Sequence, residues 1–302
     1  MKVQITGITG FVGTNLSAYL SNINGITTSE INLRSSNWQV DNDTYAIIHL
    51  AGKAHDLKKT SSPEEYYEIN QILTQKLYDR FLASNANVFI FVSSVKAAAD
   101  YVNDILLESV QPDPQTDYGR SKLFAEQYIE QQILPMNKHY YILRPCMIHG
   151  PGNKGNLNLL YTFMKKGMPY PLAGFKNRRS YLSISNLCFV IYSLLRSKAD
   201  SGIYNVSDDE SLSTSEVIAI MANAIQKKPI LWNISPSIIR FIAKVGDILK
   251  LPLTTERLTK MTESYIVGNQ KIKTALKIDM PSSSRQGLVE TTKSFNNEKA
   301  KS

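Results

Sequence analysis

The sequence lacks a disulfide framework, a secretory leader and a membrane-spanning run, and each absence excludes a class of protein. Only two of the 302 residues, Cys146 and Cys188, are cysteines, which is typical of a reducing compartment. The first ten residues are interrupted by Gln4 and two glycines and do not fit a signal peptide. Charged residues interrupt the most apolar later region, residues 234–251, so no run approaches the roughly 20 residues that cross a bilayer. We therefore expect a cytoplasmic protein with no membrane span.

Little in the sequence points to a nucleic acid or a metal. Lysine and arginine total 34 against 26 aspartates and glutamates, and the net charge of +8 would suit nucleic acid, a membrane surface or an anionic small molecule. No run of lysine or arginine exceeds two residues and no RNA-binding motif is present, so we expect no nucleic-acid partner. The four histidines and two cysteines show no metal-ligand spacing, so we expect no metal.

The sequence does contain enough apolar material for a folded core, arranged in alternating segments. Hydrophobic residues make up 43% and charged residues 20%, which excludes a disordered chain. Continuous apolar segments predict strands at residues 2–6, 26–29, 46–50, 88–92 and 140–143, and helical spacing predicts helices between them. Strands that are apolar on both faces and alternate with helices indicate a parallel sheet covered on both sides. The predicted fold class is therefore α/β, with a doubly wound parallel sheet.

Helix ends and amphipathic segments give further expectations. Ser62 with Glu65, and Ser213 with Glu216, fit capping boxes that start helices. Residues 234–251 fit an amphipathic helix packed on its own domain, with a membrane-surface or partner contact as the alternative. The polar residues from 290 onward are expected to fray.

Three glycines follow the first predicted strand. Gly7, Gly10 and Gly13 are spaced three apart, a stretched form of the dinucleotide-binding fingerprint. In such a turn Gly7 permits the tight bend, Gly10 lets the backbone approach a pyrophosphate, and Gly13 lets the helix pack on the strand. The helix N-terminus then offers N–H groups to phosphates. A plain strand-to-helix turn would also explain the glycines, but their position after an N-terminal strand favours a dinucleotide site.

A tyrosine and a lysine stand four residues apart in a predicted helix. Tyr118 and Lys122 would share one helix face, and they follow a strand that ends at Ser93 and Ser94. A phenol has a pKa of about 10, so a general base near neutral pH needs that pKa lowered by roughly three units. Lys122 and an oxidised nicotinamide ring are cations that could lower it. Such a pair is common by chance, and it gains weight from its place after the glycine turn.

In this order the pieces resemble the extended short-chain dehydrogenases/reductases of the NAD-dependent epimerase/dehydratase family, the UDP-galactose 4-epimerase-like group. The matching segments are residues 6–13, 49–52, 70, 93–94, 118 with 122, 143–145, 150–152, 179–182 and 202–206. The resemblance implies a Rossmann-type doubly wound sheet and a smaller C-terminal α/β substrate domain. It also implies that the two are interleaved: residues 1–152 with about 178–207 form the dinucleotide domain, and about 153–177 with 208–302 form the nucleotide-sugar domain.

The resemblance implies roles for individual residues. Tyr118 would be the acid/base, Lys122 would hold the nicotinamide ribose, and Ser94 rather than Ser93 would bond the reacting oxygen. The implied cofactor residues are Gly7, Thr9, Gly10, Phe11, Val12, Gly13, Asn32, Leu33, Leu50, Ala51, Gly52, Lys53, Asn70, Ser93, Tyr118, Lys122 and Pro145. The implied substrate residues are Ser94, Met147, Asn156, Leu157, Arg179 and Arg257. The arginines suit this role because a guanidinium binds phosphate oxygens through two parallel bonds.

The implied cofactor is NAD, with NADP left open. The second strand does not end in the usual aspartate, and Glu30 comes just after it. Asn32 and Leu33 then resemble the adenine contact of deoxysugar reductases in the family. Arg34 is placed where it could meet a 2′-phosphate, although an exposed arginine is more often only solvated.

The resemblance leaves two reactions open. The family's 4,6-dehydratases follow their serine or threonine with Asp-Glu, whereas Val95 and Lys96 follow Ser94 here, so dehydration is disfavoured. We favour a UDP-sugar 4-epimerase; a 4-keto-sugar reductase of surface-polysaccharide synthesis is the alternative. Met147 stands where galactose epimerases have an asparagine that contacts the sugar nucleotide, so glucose and galactose are not the expected sugars.

Two further expectations concern the oligomeric state and whether the protein is catalytic. The intact Tyr118, Lys122 and Ser94 argue against a non-catalytic NAD(P) sensor. The resemblance implies a homodimer through the helices that contain Asn70 and Tyr118.

Overall fold

The computed structural model describes residues 1–53, 62–153 and 155–298. The strands are β1 Lys2–Thr6, β2 Thr27–Glu30, β3 Thr44–His49, β4 Val88–Val92, β5 Ile105–Leu106, β6 His139–Pro145, β7 Met147–His149, β8 Arg179–Ser183, β9 Gly202–Val206, β10 Ser211–Leu212 and β11 Ile266–Val267. The helices are α1 Phe11–Ser21, α2 Pro63–Tyr66, α3 Leu73–Ala83, α4 Asp117–Gln131, α5 Asn156–Lys165, α6 Ile184–Arg196, α7 Thr214–Ala224, α8 Pro236–Leu249, α9 Thr255–Thr262, α10 Gln270–Leu276 and α11 Ser284–Glu298. A π-helical segment, Tyr67–Ile72, joins α2 to α3, and a 3₁₀ turn, Val95–Ala97, follows β4.

Six strands form one parallel sheet in the order β2-β1-β3-β4-β6-β9. All five predicted strands are present, and β9 adds a sixth. The chain runs from β1 to the edge strand β2 and then crosses to the other side of β1. The direction of winding therefore reverses between β1 and β3. Open α/β sheets bind ligands in the crevice at the carboxyl ends of the strands at such a reversal.

Helices cover both faces of this sheet, as the apolar strands predict. On one face, α1 and α6 pack through residues such as Leu16, Leu20 and Leu187. On the other face, α3 and α4 pack through Phe81 and Ile129. The predicted doubly wound α/β fold is thus confirmed.

A separate core lies under the remaining helices. It joins α5, α7, α8, α9 and α11 through residues such as Tyr161, Met221 and Phe295. A three-stranded sheet, β10-β8-β7, and a two-stranded parallel pair, β11-β5, lie outside the main sheet. The interleaved domain boundaries stay a prediction. They place residues 178–207, which contain β9, with the main sheet, whereas α5 before that segment and α7 after it contribute to the second core.

The helix ends differ in part from expectation. The Ser213 box forms: Ser213 Oγ accepts from Glu216 N at 3.2 Å, and Glu216 Oε2 accepts from Ser213 N at 2.8 Å. The box predicted at Ser62 does not form, because Ser62 makes no side-chain cap and the Glu65 carboxylate pairs with Lys53 instead. The carboxylates of Glu64 and Glu65 in the first turn still interact favourably with the positive N-terminal end of that helix.

The expectation that the chain frays from residue 290 is wrong as far as 298. Helix α11 continues to that point, and its Leu288 and Phe295 are buried in the second core. The hydroxyls of Thr291 and Thr292 donate to carbonyls one turn earlier, which satisfies them inside the protein. A segment that is polar in composition is therefore ordered by two apolar residues seven apart.

Residues 234–251 form the predicted amphipathic helix, α8. Ile239, Ala243 and Gly246 are buried against the second core, while a second apolar face is exposed. Among the residues that the structure describes, no helix is long and apolar enough to cross a membrane.

Candidate active site

The glycine turn folds tightly between β1 and α1. Gly7 has a φ of 67°, and a Cβ there would lie 2.8 Å from Ala51 N, so only glycine fits. A Cβ on Gly13 would lie 2.3 Å from Gly7 O, and Gly10 N donates to the same oxygen at 3.0 Å. The turn therefore holds the start of α1 against the ends of β1 and β3, where unpaired N–H groups of the first helical turn can face an anion.

A buried hydrogen-bond chain ties the ends of β1 and β3 together. Thr6 Oγ1 accepts from the N–H groups of Leu50 and Ala51 at 3.1 and 3.0 Å and lies 2.7 Å from His49 Nδ1. Because both acceptor positions of the hydroxyl are used, its proton goes to Nδ1. Nε2 of His49 then carries the ring proton and donates to Thr74 Oγ1 at 2.9 Å. This network is a scaffold below the crevice.

Burial keeps His49 neutral. Desolvation lowers the pKa of His49 to about 3, and the nearby Lys122 ammonium lowers it further. The ring is fully enclosed and stacks on Phe91 at 5.4 Å. His49 is thus a structural residue and cannot serve as a proton carrier near neutral pH.

Asn70 fixes the segment after β3. Its Oδ1 accepts from Lys53 N at 2.8 Å, and its Nδ2 donates to Lys53 O at 3.1 Å and to Ser121 Oγ at 3.1 Å. A Cβ on Gly52 would lie 2.9 Å from Asn70 Oδ1 and 3.1 Å from Lys122 Nζ. The absence of a side chain at Gly52 therefore lets Asn70 and Lys122 meet the backbone of this loop.

Lys122 is buried at the carboxyl end of β4. Its Nζ donates to Val92 O at 3.2 Å and lies 4.8 Å from the Phe91 ring centroid. Desolvation lowers the pKa of Lys122 to about 8, although the Glu126 carboxylate one turn along α4 opposes this. The ammonium is still mostly charged at pH 7, so it places a cation inside the site.

Tyr118 and Ser94 meet at the entrance to α4. Their hydroxyls are hydrogen-bonded, and Ser94 Oγ also accepts from Lys96 N at 3.2 Å. A Cβ on Gly119 would lie 2.4 Å from Lys96 O, so this glycine lets α4 press against the turn that carries Ser94. The pKa of Tyr118 is raised because burial outweighs the lowering by the Ser94 bond. The protein alone therefore does not activate the phenol, and the second cation named from the sequence, an oxidised nicotinamide ring, would have to supply the rest of the positive charge.

Ser93 faces away from this pair. Its hydroxyl donates to Glu126 Oε1 at 2.5 Å, and Glu126 forms a buried ion pair with Arg144, whose Nη2 lies 2.5 Å from Oε2. The choice of Ser94 over Ser93 as the hydroxyl beside Tyr118 agrees with this geometry. The side chain of Ser93 anchors β4 to α4.

The other predicted cofactor residues lie at the carboxyl edge of the sheet. Those on the loops after β1, β2 and β3 are Thr9, Asn32, Leu33, Leu50 and Ala51, whereas Phe11 and Val12 begin α1 and Pro145 ends β6. Asn32 is exposed and its Oδ1 accepts from Arg34 N at 3.1 Å, while Leu33 packs under α3 and α4. Lys53 Nζ pairs with Glu65, so its charge is partly neutralised.

The predicted substrate residues are more scattered. Met147 is half-buried in β7 and Leu157 is buried in the second core. Asn156 begins α5, and its side chain lies outside the described part of the chain. Nε of Arg179 donates to Glu263 O at 3.1 Å and its Nη2 donates to Lys260 O, so the guanidinium holds the end of α9. Nη1 of Arg257 donates to Pro252 O at 2.7 Å, on the loop between α8 and α9.

A charged cluster that the sequence does not reveal lies beside Ser94. Lys96 Nζ donates to Asp100 O at 2.9 Å and lies 4.5 Å from the Tyr265 ring centroid. The Glu263 carboxylate lies 3.7 Å from Arg179 Nη2, and burial raises the pKa of Glu263. Tyr265 donates to Ala99 O at 2.7 Å. Glu263 and Tyr265 stand far along the chain from Lys96 and carry no motif, so only the fold brings them together.

Comparison with known proteins assigns the chain to a family. The model of the NAD dependent epimerase/dehydratase family matches residues 3–207. The chain belongs to this family. Its members include nicotinamide-dependent enzymes, and the glycine turn fits such a cofactor, because Gly7 and Gly13 pack without side chains against Ala51 and the turn itself and so bring the start of α1 close to the ends of β1 and β3.

Individual relatives cover most of the chain. UDP-glucose 4-epimerase of Vibrio cholerae is 30% identical over 258 residues, which is 75% of this chain and 76% of that enzyme. GDP-6-deoxy-D-mannose reductase of Pseudomonas aeruginosa is 24% identical over 246 residues, 74% of this chain and 80% of the reductase. The solved structure of UDP-N-acetylglucosamine 4-epimerase from Bacillus cereus has a TM-score of 0.77 at 21% identity and covers 98% of this chain and 99% of its own. This likeness shows the shared fold.

Proposed function

We propose that the chain is a NAD(P)-dependent 4-epimerase of a nucleotide sugar, a UDP-sugar in the first instance. The observation that carries the proposal is the hydrogen-bonded pair of Tyr118 and Ser94, with the buried ammonium of Lys122 one helical turn away beside the glycine cradle. The Vibrio cholerae relative named as a UDP-glucose 4-epimerase supports the sugar-nucleotide class.

Each of the three side chains has a part in the reaction. When bound, the nicotinamide cofactor supplies the hydride acceptor and donor. Tyr118 takes the proton of the sugar 4-hydroxyl and later returns it, and Ser94 donates a hydrogen bond to the same oxygen. The Lys122 ammonium binds the ribose of the cofactor and contributes positive charge that favours the phenolate.

Because the pKa of Tyr118 is raised, its phenolate forms only where positive charge nearby stabilises it. Burial opposes the phenolate in the protein alone. The tyrosine becomes a base only when positive charge adds to that of Lys122, so we infer that proton removal depends on an oxidised cofactor being bound. This coupling keeps the phenol protonated when no hydride acceptor is present.

A dehydratase is disfavoured by the turn after Ser94. Val95 is buried in the 3₁₀ turn, and Lys96 is held by Asp100 and Tyr265. A valine and a lysine do not replace the Asp-Glu pair with which the family's dehydratases eliminate water.

Reduction of a 4-keto sugar is the second candidate. The Pseudomonas aeruginosa relative, named as a reductase, favours it, and the same Tyr118, Lys122 and Ser94 would serve. In that reaction Tyr118 gives its proton to the carbonyl oxygen as the hydride arrives, and the raised pKa of the phenol suits a proton donor.

One experiment separates the two reactions. Purified protein is incubated with UDP-N-acetylglucosamine or UDP-glucose and catalytic NAD⁺, and products are separated by anion-exchange chromatography. Conversion to the 4-epimer without net change in absorbance at the NADH wavelength supports the epimerase. Stoichiometric loss of NAD(P)H on a nucleotide 4-keto sugar, with no epimer formed, would replace it with the reductase.

Tyr118→Phe tests the catalytic assignment in either case. Removal of one general acid/base should lower kcat at least about a hundredfold while cofactor binding persists. Tyr128→Phe is the matched control, because Tyr128 lies on the same helix with its hydroxyl on Asp79 at the surface. Equal turnover in wild type and Tyr118→Phe would contradict the mechanism.

We further propose NAD as the preferred cofactor, in a homodimeric cytoplasmic enzyme of surface-polysaccharide synthesis. Ile72 and Phe124 are exposed on the helices that would pair, which supports the dimer. Both cysteines are free and buried, which supports a reducing compartment. Light scattering tests the dimer. Competitive titration with NAD⁺ and NADP⁺ tests the cofactor preference, and Arg34→Ala removes any attraction of Arg34 to a 2′-phosphate.

A further inference from the structure

We propose that α8 and residues 231–233 before it, which form isolated β-bridges, are part of a surface that binds an anionic lipid bilayer from one side. We call it the α8 surface, and its exposed apolar residues are Trp232, Ile238, Phe241, Ile242, Ile248, Leu249 and Leu251. This proposal does not depend on the proposed enzymatic function.

The apolar residues of α8 fall on two distinct faces. Ile239 and Ala243 pack in the second core, and Gly246 is buried on the same helix. Ile238, Phe241, Ile242, Ile248 and Leu249 occupy positions i, i+3, i+4, i+10 and i+11, which is a second helical stripe. Phe241 is 68% exposed and Ile248 is 79% exposed. The exposed stripe is therefore additional to the packing face.

The stripe is held outward by the packing of α8. A Cβ on Gly246 would lie 1.9 Å from Leu253 O, so the helix is pressed against the loop that leads to α9. Trp232 is fixed through its backbone, whose N–H donates to Tyr170 O at 2.9 Å. Rotation of α8 to hide the stripe would break the contact at Gly246 and expose the residues now buried.

Charge identifies the partner. Residues 227–260 contain seven lysines and arginines and two acids, in a chain whose net charge is +8. Both acids are engaged: Asp247 accepts from Thr255, and Glu256 pairs with Lys260. Among the described residues, neither Lys244 nor Lys250 forms an ion pair. An apolar stripe bordered by free lysines, with a tryptophan at its margin, is the pattern of helices that lie in the headgroup region of anionic membranes.

A second copy of the chain fits this surface less well. A two-fold contact through α8 would gather Lys244 and Lys250 of both copies around one apolar seam, and like charges oppose such a contact. An anionic bilayer meets both features at once, since lysine stems extend along apolar surface while their ammonium groups reach the headgroups.

Vesicle flotation tests the proposal. The full chain is mixed with large unilamellar vesicles of phosphatidylglycerol and phosphatidylcholine in equal parts, or of phosphatidylcholine alone, at low and high salt. We expect binding to the anionic vesicles that weakens with salt, together with a blue shift of Trp232 fluorescence in a Trp38→Phe background. Phe241→Ser with Ile248→Ser should weaken partitioning at least about tenfold.

A matched control removes apolar area elsewhere. Ile133 and Met136 are almost fully exposed and lie outside the α8 surface, so Ile133→Ser with Met136→Ser should bind vesicles as wild type does. Circular dichroism melting confirms that each variant is folded. No binding to anionic vesicles, or equal binding by folded Phe241→Ser/Ile248→Ser, would overturn the proposal. So would light scattering in which the α8 substitutions dissolve an oligomer, because the surface would then be a contact between copies.

Discussion

The buried histidine below the crevice makes stability depend on pH in a way that can be measured. His49 is enclosed between Thr6 and Thr74 and its pKa is lowered to about 3, from 6.5. Its folded pKa is depressed, so its contribution is fully present above pH 6.5. That contribution is lost as the pH falls towards the folded pKa, because only the unfolded chain takes up the proton.

The size of the effect follows from proton linkage. Each pH unit between the two pKa values costs about 1.4 kcal/mol of the free energy of unfolding. Between pH 7.5 and pH 5.0 the unfolded histidine becomes largely protonated while the folded one stays neutral, which amounts to about 2 kcal/mol. His149, whose pKa is lowered to about 4, adds a loss in the same direction, and Asp208, whose pKa is raised to about 6, gains stability as the pH falls.

Comparison with His49→Gln isolates the one residue. Glutamine cannot be protonated in this range, so the variant should lose about 2 kcal/mol less than wild type on going from pH 7.5 to pH 5.0. Its stability at pH 7.5 should itself be lower, because the Thr6 hydroxyl loses a partner. Urea unfolding followed by circular dichroism at both pH values gives the four free energies. His149 and Asp208 are common to both proteins and cancel in the difference.

His139→Gln is the control, since His139 lies half-buried at the start of β6, outside the Thr6 network. A pH dependence weakened equally in His139→Gln would mean that the effect is not specific to the Thr6 network. Equal losses for wild type and His49→Gln would refute the reasoning and mean that His49 opens to solvent in the native state.

Four other substitutions, one of them a control, test local features of the fold and site. Gly52→Ala places a methyl 3.1 Å from Lys122 Nζ, so turnover should fall at least about tenfold with little change in the melting temperature; steady-state kinetics and calorimetry measure the two. Ser213→Ala removes the cap of α7 and should lower the free energy of unfolding by about 1 kcal/mol. Its control, Ser62→Ala, lies at a helix start without a side-chain cap and should stay within about 0.5 kcal/mol of wild type in urea unfolding. Equal losses in the two variants would contradict the assignment of the caps. Arg144→Met leaves a carboxylate buried without its counter-ion and should cost about 3–5 kcal/mol; an unchanged urea midpoint would show that the pair is not stabilising.

The main sheet was predictable because its strands are buried on both faces. Residues 88–92 read as an unbroken apolar run, and all five of them are buried in β4. The glycine turn was predictable because the backbone segments there approach so closely that only glycine fits. This requirement concerns single positions, so it is visible in the sequence. Strand β9 was present only as a family motif, since its Gly202 and Asn205 break the apolar pattern.

The remainder depends on contacts between distant segments. The order of α11 beyond residue 290 comes from Phe295 packing in the second core, and nothing local in a polar segment signals it. The cluster of Lys96 with Tyr265 joins residues that are far apart in the sequence. The capping pattern at Ser62 matches the one at Ser213 in sequence but not in structure, because the nearby Lys53 competes for the carboxylate at the former.

The distribution of charge changes what the positive composition means. Of the cations predicted to meet a diphosphate, Arg179 is matched by Glu263 and Lys53 by Glu65. A diphosphate that approached Arg179 would therefore have to displace the Glu263 carboxylate and the carbonyls that the guanidinium binds. The charge of Arg179 is already partly neutralised. The excess of positive charge lies instead within residues 227–260. The basic composition of this chain is thus chiefly a property of the segment that contains α8, and salt should affect binding at the α8 surface more strongly than binding in the crevice.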